Sequence, residues 1–210
     1  MGEPKAGAAR ATAIVFGILS GLGGLVHGIG EVLQGNVPTE GLWINSWTQG
    51  PIASNMGGEP GITIMPTALG AGILTIAASL AVIVWSAAFV STKKGGWILI
   101  LLSFFMLLMG GGIGPPLIGI LAGVAGLAIH PRRQRPVSSF RRLLGSLWPW
   151  LYGIAVLVGV FLVIGSFALV YLIDFDHPDL FTNSFFVSVI LLILVNITGR
   201  AYDAGRRHYG

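Results

Sequence analysis

The 210-residue chain is 54% hydrophobic and only 10% charged, with a mean hydropathy of +0.83 and 32 glycines. Soluble domains carry about 25% charged residues, and disordered chains combine high charge with low hydrophobicity, so both classes are excluded. The formal charge of +4 lies in short clusters between long apolar runs, which marks membrane flanks and excludes a nucleic-acid face; the absence of cysteine excludes disulfides, thiolate metal sites and cysteine nucleophiles.

Residues 1–10 form a short, weakly basic tail. Lys5 and Arg10 precede an apolar run as in a signal peptide, but no A-x-A-type site closes that run, and its end holds His27 and Glu31. A retained first span over about 11–33 is therefore expected. Ala6 stands where myristoylation would need Ser or Thr. On a helix, Gly17, Ser20, Gly21, Gly24, His27, Gly28 and Glu31 share roughly one third of the circumference. Small residues on that face admit a neighbouring helix and carry His27 and Glu31 into the protein.

Residues 34–65 form the longest connection, with Glu40 and Glu59 but no Lys or Arg. Trp43 and Trp47, one helical turn apart, suit an interfacial aromatic belt, and Gly57 to Gly61 is turn chemistry. An ordered loop on the outer membrane surface is expected. The second span covers 66–90, with Pro66 in its first turn.

Residues 96–130 contain no Asp, Glu, Lys or Arg. As one helix they would reach about 52 Å, well beyond a bilayer core of about 30 Å. Gly110 to Gly112, Gly114, Pro115 and Pro116 break such a helix, which predicts a tight hairpin of short spans, 96–112 and 115–130. Two crossings also keep Lys93 and Lys94 on the same side as Arg132, Arg133, Arg135, Arg141 and Arg142. The fifth span is 148–173, the acidic loop Asp174, Asp176, His177 and Asp179 follows, the sixth span is 180–198, and 200–210 is a basic tail.

The expected fold is thus an all-α integral membrane protein, a six-helix transmembrane bundle in the cell membrane. All 12 Lys and Arg then lie on one face, which should be cytoplasmic together with both termini. Gly17 to Leu25 also resembles Gly119 to Leu127, on helices running in opposite directions. Either this is an inverted repeat, or both helices simply carry small-residue packing faces. Gly17, Gly21, Gly24, Gly119, Gly123 and Gly126 are the packing residues on either view.

For chemistry, His27 and Glu31 lead. An ionised carboxylate at the bilayer centre costs on the order of 2.5–3.5 kcal/mol, less towards the interface, and no Lys or Arg faces it on the outer side. Glu31 must be protonated, pair with His27, bind a cation or stay wet. The set Ser20, His27, Glu31 and Glu59 is the expected ligand- or proton-binding group; alternatively His27 and Glu31 only fix helix packing. The outer acids Glu40, Glu59, Asp174, Asp176 and Asp179 either concentrate cations or merely orient the chain. The motifs 57–61 and 110–116 either line an outer cavity with Glu31 or are tight turns.

No catalytic constellation and no metal site is evident, and no cofactor can be named. Haem would need two histidines at one depth, retinal a membrane lysine, and a phosphate loop a strand and a following lysine. In outline the chain resembles the substrate-binding S-components of energy-coupling-factor vitamin transporters, six-helix proteins of this size. The Gly17 and Gly21 pair stands in for their first-helix small-residue motif, and residues 34–65 for their lid. The resemblance is architectural and carries over no binding residues. The expected function is binding or translocation of a small solute or cation through an outward-facing cavity. A non-catalytic subunit packing against a membrane partner or a second copy is the alternative.

Overall fold

A computed structural model describes residues 7–130, 138–173 and 178–206. The chain runs through α1 (Gly7–Gln34), a loop holding β1 (Trp43–Asn45), α2 (Pro51–Asn55) and β2 (Pro60–Ile62), then α3 (Ala68–Val84), which continues through a π-helical turn at Trp85–Phe89. Next come α4 (Gly95–Met109), α5 (Gly114–Leu127), α6 (Ser139–Ser146), α7 (Trp148–Val160), a second π turn (Phe161–Gly165), α8 (Ser166–Ile173) and α9 (Pro178–Arg206). Among the described residues, four helices are long and apolar enough to cross a membrane: Gly7–Gln34, Ala68–Phe89, Ser139–Ile173 and Asp179–Arg206. The helices α4 and α5, 15 and 14 residues long, are apolar but shorter.

Local chemistry sets the boundaries. Thr67 caps α3 by accepting a hydrogen bond from the Gly70 N–H at 3.2 Å, so Pro66 stands just before the cap and not in the first turn. Gly110, at φ +123°, ends α4, and its N–H bonds the Met106 carbonyl. Pro115 and Pro116 occupy the first turn of α5, where a missing N–H costs nothing.

The core is organised around α1. In its most apolar stretch 56% of the residues are buried, against 17% for Ser139–Ile173. Glycines bring α3 close: Gly17 meets Ser86, Gly21 meets Ser79 and Ile83, and Gly28 meets Gly72 and Ile76, an antiparallel register. A Cβ on Gly21 would lie 2.8 Å from the Ser79 carbonyl oxygen, and one on Gly24 2.5 Å from Met106 Sδ. On another side α5 packs on α1. Gly23 meets Pro115, and Gly119 lies against Ser20 and against Ser103 of α4. Gly123 and Gly126 meet Ile100 and Gly96, so α4 and α5 are also antiparallel. Phe16, Val82, Leu99, Met106, Leu192 and Val195 fill the space between.

The opposite end of α1 is held by α9, which continues as helix to Arg206 where the sequence suggests a tail from 200. Asp203 is buried, and its two carboxylate oxygens accept the Ala8 and Ala9 N–H groups, each at 2.9 Å. These are unpaired donors of a helix N-terminus, and a carboxylate there also meets the positive end of the helix dipole. Asp203→Ala should lower the thermal stability of the detergent-solubilised protein by about 1–2 kcal/mol, and Asp203→Asn by less. An unchanged unfolding temperature in the alanine variant would show that this cap does not hold the two ends together.

Candidate functional site

The C-terminal half of α1 carries His27 and Glu31, which are 3% and 0% exposed. The loop after α1 covers them. Gln34, in the last turn of α1, donates from its side-chain amide to the Asn45 carbonyl (3.0 Å) and the Ser46 carbonyl (2.8 Å), pinning the end of β1 to the helix. Gly30 makes this possible, because a Cβ there would stand 2.7 Å from the Trp47 ring. The β1–β2 pairing continues past Asn45: the Ser46 N–H bonds the Glu59 carbonyl (3.2 Å) and the Trp47 N–H bonds the Gly58 carbonyl (2.9 Å). Ser46 and Glu59 are therefore neighbours across the hairpin. Among the described residues Glu59 is the one non-glycine residue with positive φ, +55°, directly after Gly57 and Gly58 at +69° and +75°. Such a backbone is uncommon for a residue with a side chain and persists where surrounding structure holds it. Here it accompanies a contact with His27.

The contacts form a chain. Glu59 Oε2 lies 2.7 Å from His27 Nε2. His27 Nδ1 lies 2.8 Å from Ser46 Oγ, and the Ser46 hydroxyl donates to Glu31 Oε1 at 3.1 Å. Ser46 is 0% exposed, whereas the Glu59 side chain is 26% exposed. Glu31 Oε2 is buried with no hydrogen-bond partner. Beside it stands the buried Thr75 hydroxyl of α3, close enough to stabilise charge on the carboxylate although outside ordinary hydrogen-bond geometry.

The break between α4 and α5 closes the site from the other side. A Cβ on Gly110 would lie 2.6 Å from both Glu31 oxygens, and one on Gly112 (φ +73°) would strike the His27 ring. The loop is tied to this break: the Thr63 hydroxyl donates to the Met109 carbonyl (3.0 Å) and the Ile64 N–H to the Leu108 carbonyl (3.0 Å). Gly61 packs against the Gly110 carbonyl.

The structure thus brings His27, Glu31 and Glu59 together with both glycine-rich motifs. It places Ser20 elsewhere, about two turns away on α1, where its hydroxyl donates to the Pro115 carbonyl at 2.6 Å as part of the α1–α5 contact. Glu40 and Asp179 are exposed on the surface, and Asp174, Asp176 and His177 lie outside the described residues. Trp43 and Trp47 are not on a helix. Trp43 opens β1 and is exposed, while Trp47 packs on Gly30. Sequence reasoning missed Ser46 and Thr75, because only the fold brings them to Glu31. Among the described residues no group of three or more His, Cys, Asp or Glu is arranged to hold a metal ion.

No protein-family profile, curated protein or solved structure matches the chain, so the chemistry of the site rests on its own geometry. That geometry leaves little room. Gly112→Ala combines an unfavourable φ with a collision on His27 and should cost about 2–4 kcal/mol. Gly57→Ala, at φ +69° with open space around it, isolates the backbone contribution and should cost about 1 kcal/mol. Thermal unfolding of the two variants checks the order; equal losses would mean the break does not press on the histidine.

Proposed function

We propose that the chain is a six-span protein of the cell membrane, with both termini cytoplasmic, that binds and translocates a small cation at Glu31 beneath its outer loop. One observation carries the reading: Glu31 is wholly buried, one of its oxygens has no hydrogen-bond partner, and no Lys or Arg lies on that side of the proposed bilayer. A bound cation or proton offsets the cost of burying a carboxylate there. The lack of a multidentate metal cluster among the described residues favours a proton or a monovalent ion over a divalent metal.

Six crossings are supported by how α4 and α5 lie. Their shared break touches the outer loop at Gly61 to Ile64, while Gly95 and Gly126 sit against Val90 at the far end of the second long helix and Gly96 against Gly126. Each short helix therefore runs from that end of the bundle to the level of Glu31, where the glycine backbone of 110–112 and loop residues 61–64 cover it. Because the chain has no cysteine, single-cysteine labelling tests this directly. Lys93→Cys and Arg133→Cys should react only from the cytoplasmic side, and Glu40→Cys only from outside. Labelling of the first two from opposite sides would overturn the topology.

For the site itself, wild-type thermal stability should change with pH or with Na⁺ or K⁺ concentration. Glu31→Gln should remove most of that response while the protein still inserts and folds. A response that survives in Glu31→Gln would place the cation elsewhere.

A second reading is a non-catalytic subunit. It is favoured by the face of α7 and α8, where Leu157 and Leu172 are 71% and 82% exposed and few residues are buried. On this reading partner helices or a second copy cover that face and the His27–Glu31 contact is structural. The protein would then leave mild detergent with its partner, and Glu31→Gln would lower stability without altering any cation response.

A further inference from the structure

We propose that Glu59, His27, Ser46 and Glu31 form a proton relay from the outer face to the buried carboxylate, with Glu59 as the entry port. This rests on Glu31 being the cation site and names its occupant as a proton. The four groups follow one another at 2.7, 2.8 and 3.1 Å. Exposure falls along the same path, from the partly exposed Glu59 to the fully buried Ser46 and Glu31. Proton transfer needs this order: a group in contact with water first, and groups within hydrogen-bond reach after it. A relay also needs members that both donate and accept, which imidazole and hydroxyl do.

The donor count fixes the starting arrangement. Ser46 has one hydroxyl proton and gives it to Glu31 Oε1, so toward His27 it can only accept, and Nδ1 carries a proton. Nε2 then faces Glu59 and accepts whenever Glu59 is protonated. When water on the outer face protonates Glu59, that proton passes to Nε2. The Nδ1 proton passes to Ser46 Oγ, and the former hydroxyl proton passes to Glu31 Oε1. At the end Glu59 is a carboxylate again, Glu31 is an acid, and His27 and Ser46 each hold as many protons as before. One proton has entered, and its only source is outer water.

The groups facing the carboxylate from each packed element suit this step. From α1 there is His27, and from the loop Ser46 with Glu59 behind the imidazole. From α3 there is the Thr75 hydroxyl, and from the break only the glycine backbone at 110 and 112. Among the described residues no Lys or Arg is paired with Glu31 to hold it permanently ionised. Among the described residues Ser46 is the one hydrogen-bonded link between His27 and Glu31, which lie a turn apart.

The test follows the infrared carboxyl band of protonated Glu31, assigned by its loss in Glu31→Gln, after rapid acidification of the outer side of proteoliposomes. Ser46→Ala should reach the wild-type amplitude at a rate lower by about tenfold or more. Ser46→Thr, which restores the hydroxyl, should recover the rate, and Glu59→Gln should also be slow. If Ser46→Ala and Glu59→Gln both protonate Glu31 at the wild-type rate, the relay is wrong while the cation site stands. If the wild-type band never changes with pH but Na⁺ or K⁺ alters thermal stability, the occupant is a metal cation and the relay falls alone. If neither pH nor ions have any effect at Glu31, both proposals fall.

Discussion

A carboxylate with no lysine or arginine partner among the described residues, buried near the C-terminal end of the central helix, constrains everything built around it. The protein meets Glu31 with a hydroxyl, a second hydroxyl nearby and bare glycine backbone. The other end of α1 offers a direct contrast. There Asp203 is also buried, but each of its oxygens receives a backbone N–H. A carboxylate so paired is a structural fastener, since burial is compensated by charge-assisted hydrogen bonds and the helix dipole. Glu31 has one such bond and one oxygen with none. Full satisfaction was within reach of this fold, as Asp203 shows, and it is absent where the chain also gathers an imidazole and a second carboxylate.

That arrangement depends on close helix packing. Without side chains at Gly21, Gly24 and Gly28, α3 approaches α1 closely enough to set Thr75 beside Glu31. Buried hydroxyls in the same helices are satisfied locally and leave the site undisturbed: Ser86 bonds the Val82 carbonyl and Ser103 the Leu99 carbonyl. The tight unit of α1, α3, α4 and α5 therefore presents its polar atoms at one end. The helices α7, α8 and α9 pack around this unit, and none of their described residues joins the polar chain.

Much of this can be read from residue order, and the reasons for success and failure differ. Helical periodicity puts His27 and Glu31 on the buried face, and the glycine–proline cluster marks the break at 110–113, because both signals are local. Shared helix face says nothing about height, however, so Ser20 looks like a partner of Glu31 although it meets Pro115 about three turns away. Ser46 carries no local signal at all. Its role arises from hairpin register, which sets it opposite Glu59, and from Gly30, which lets that hairpin settle on α1. Trp43 and Trp47 have helical spacing but sit on and just past a strand, where the pairing of Trp43 with Ile62 overrides spacing. Asp203, placed among arginines near the chain end, reads as tail charge until α9 brings it to the start of α1.

The enclosure of the site bears on what can occupy it. Glu31 has no exposed surface, Gly110 lies directly on its carboxylate, and Gly112 lies on the His27 ring. A hydrated ion or an organic solute could reach Glu31 only if the hairpin of residues 43–62 lifted or the 110–112 backbone withdrew. Either motion breaks the Thr63 and Ile64 bonds that tie loop to break, and the first also breaks the two Gln34 bonds. A proton needs neither motion. It moves along hydrogen bonds already in place, at the expense only of reorienting one hydroxyl and one imidazole. The cost of opening a well-bonded cover thus weighs on every candidate occupant except the smallest.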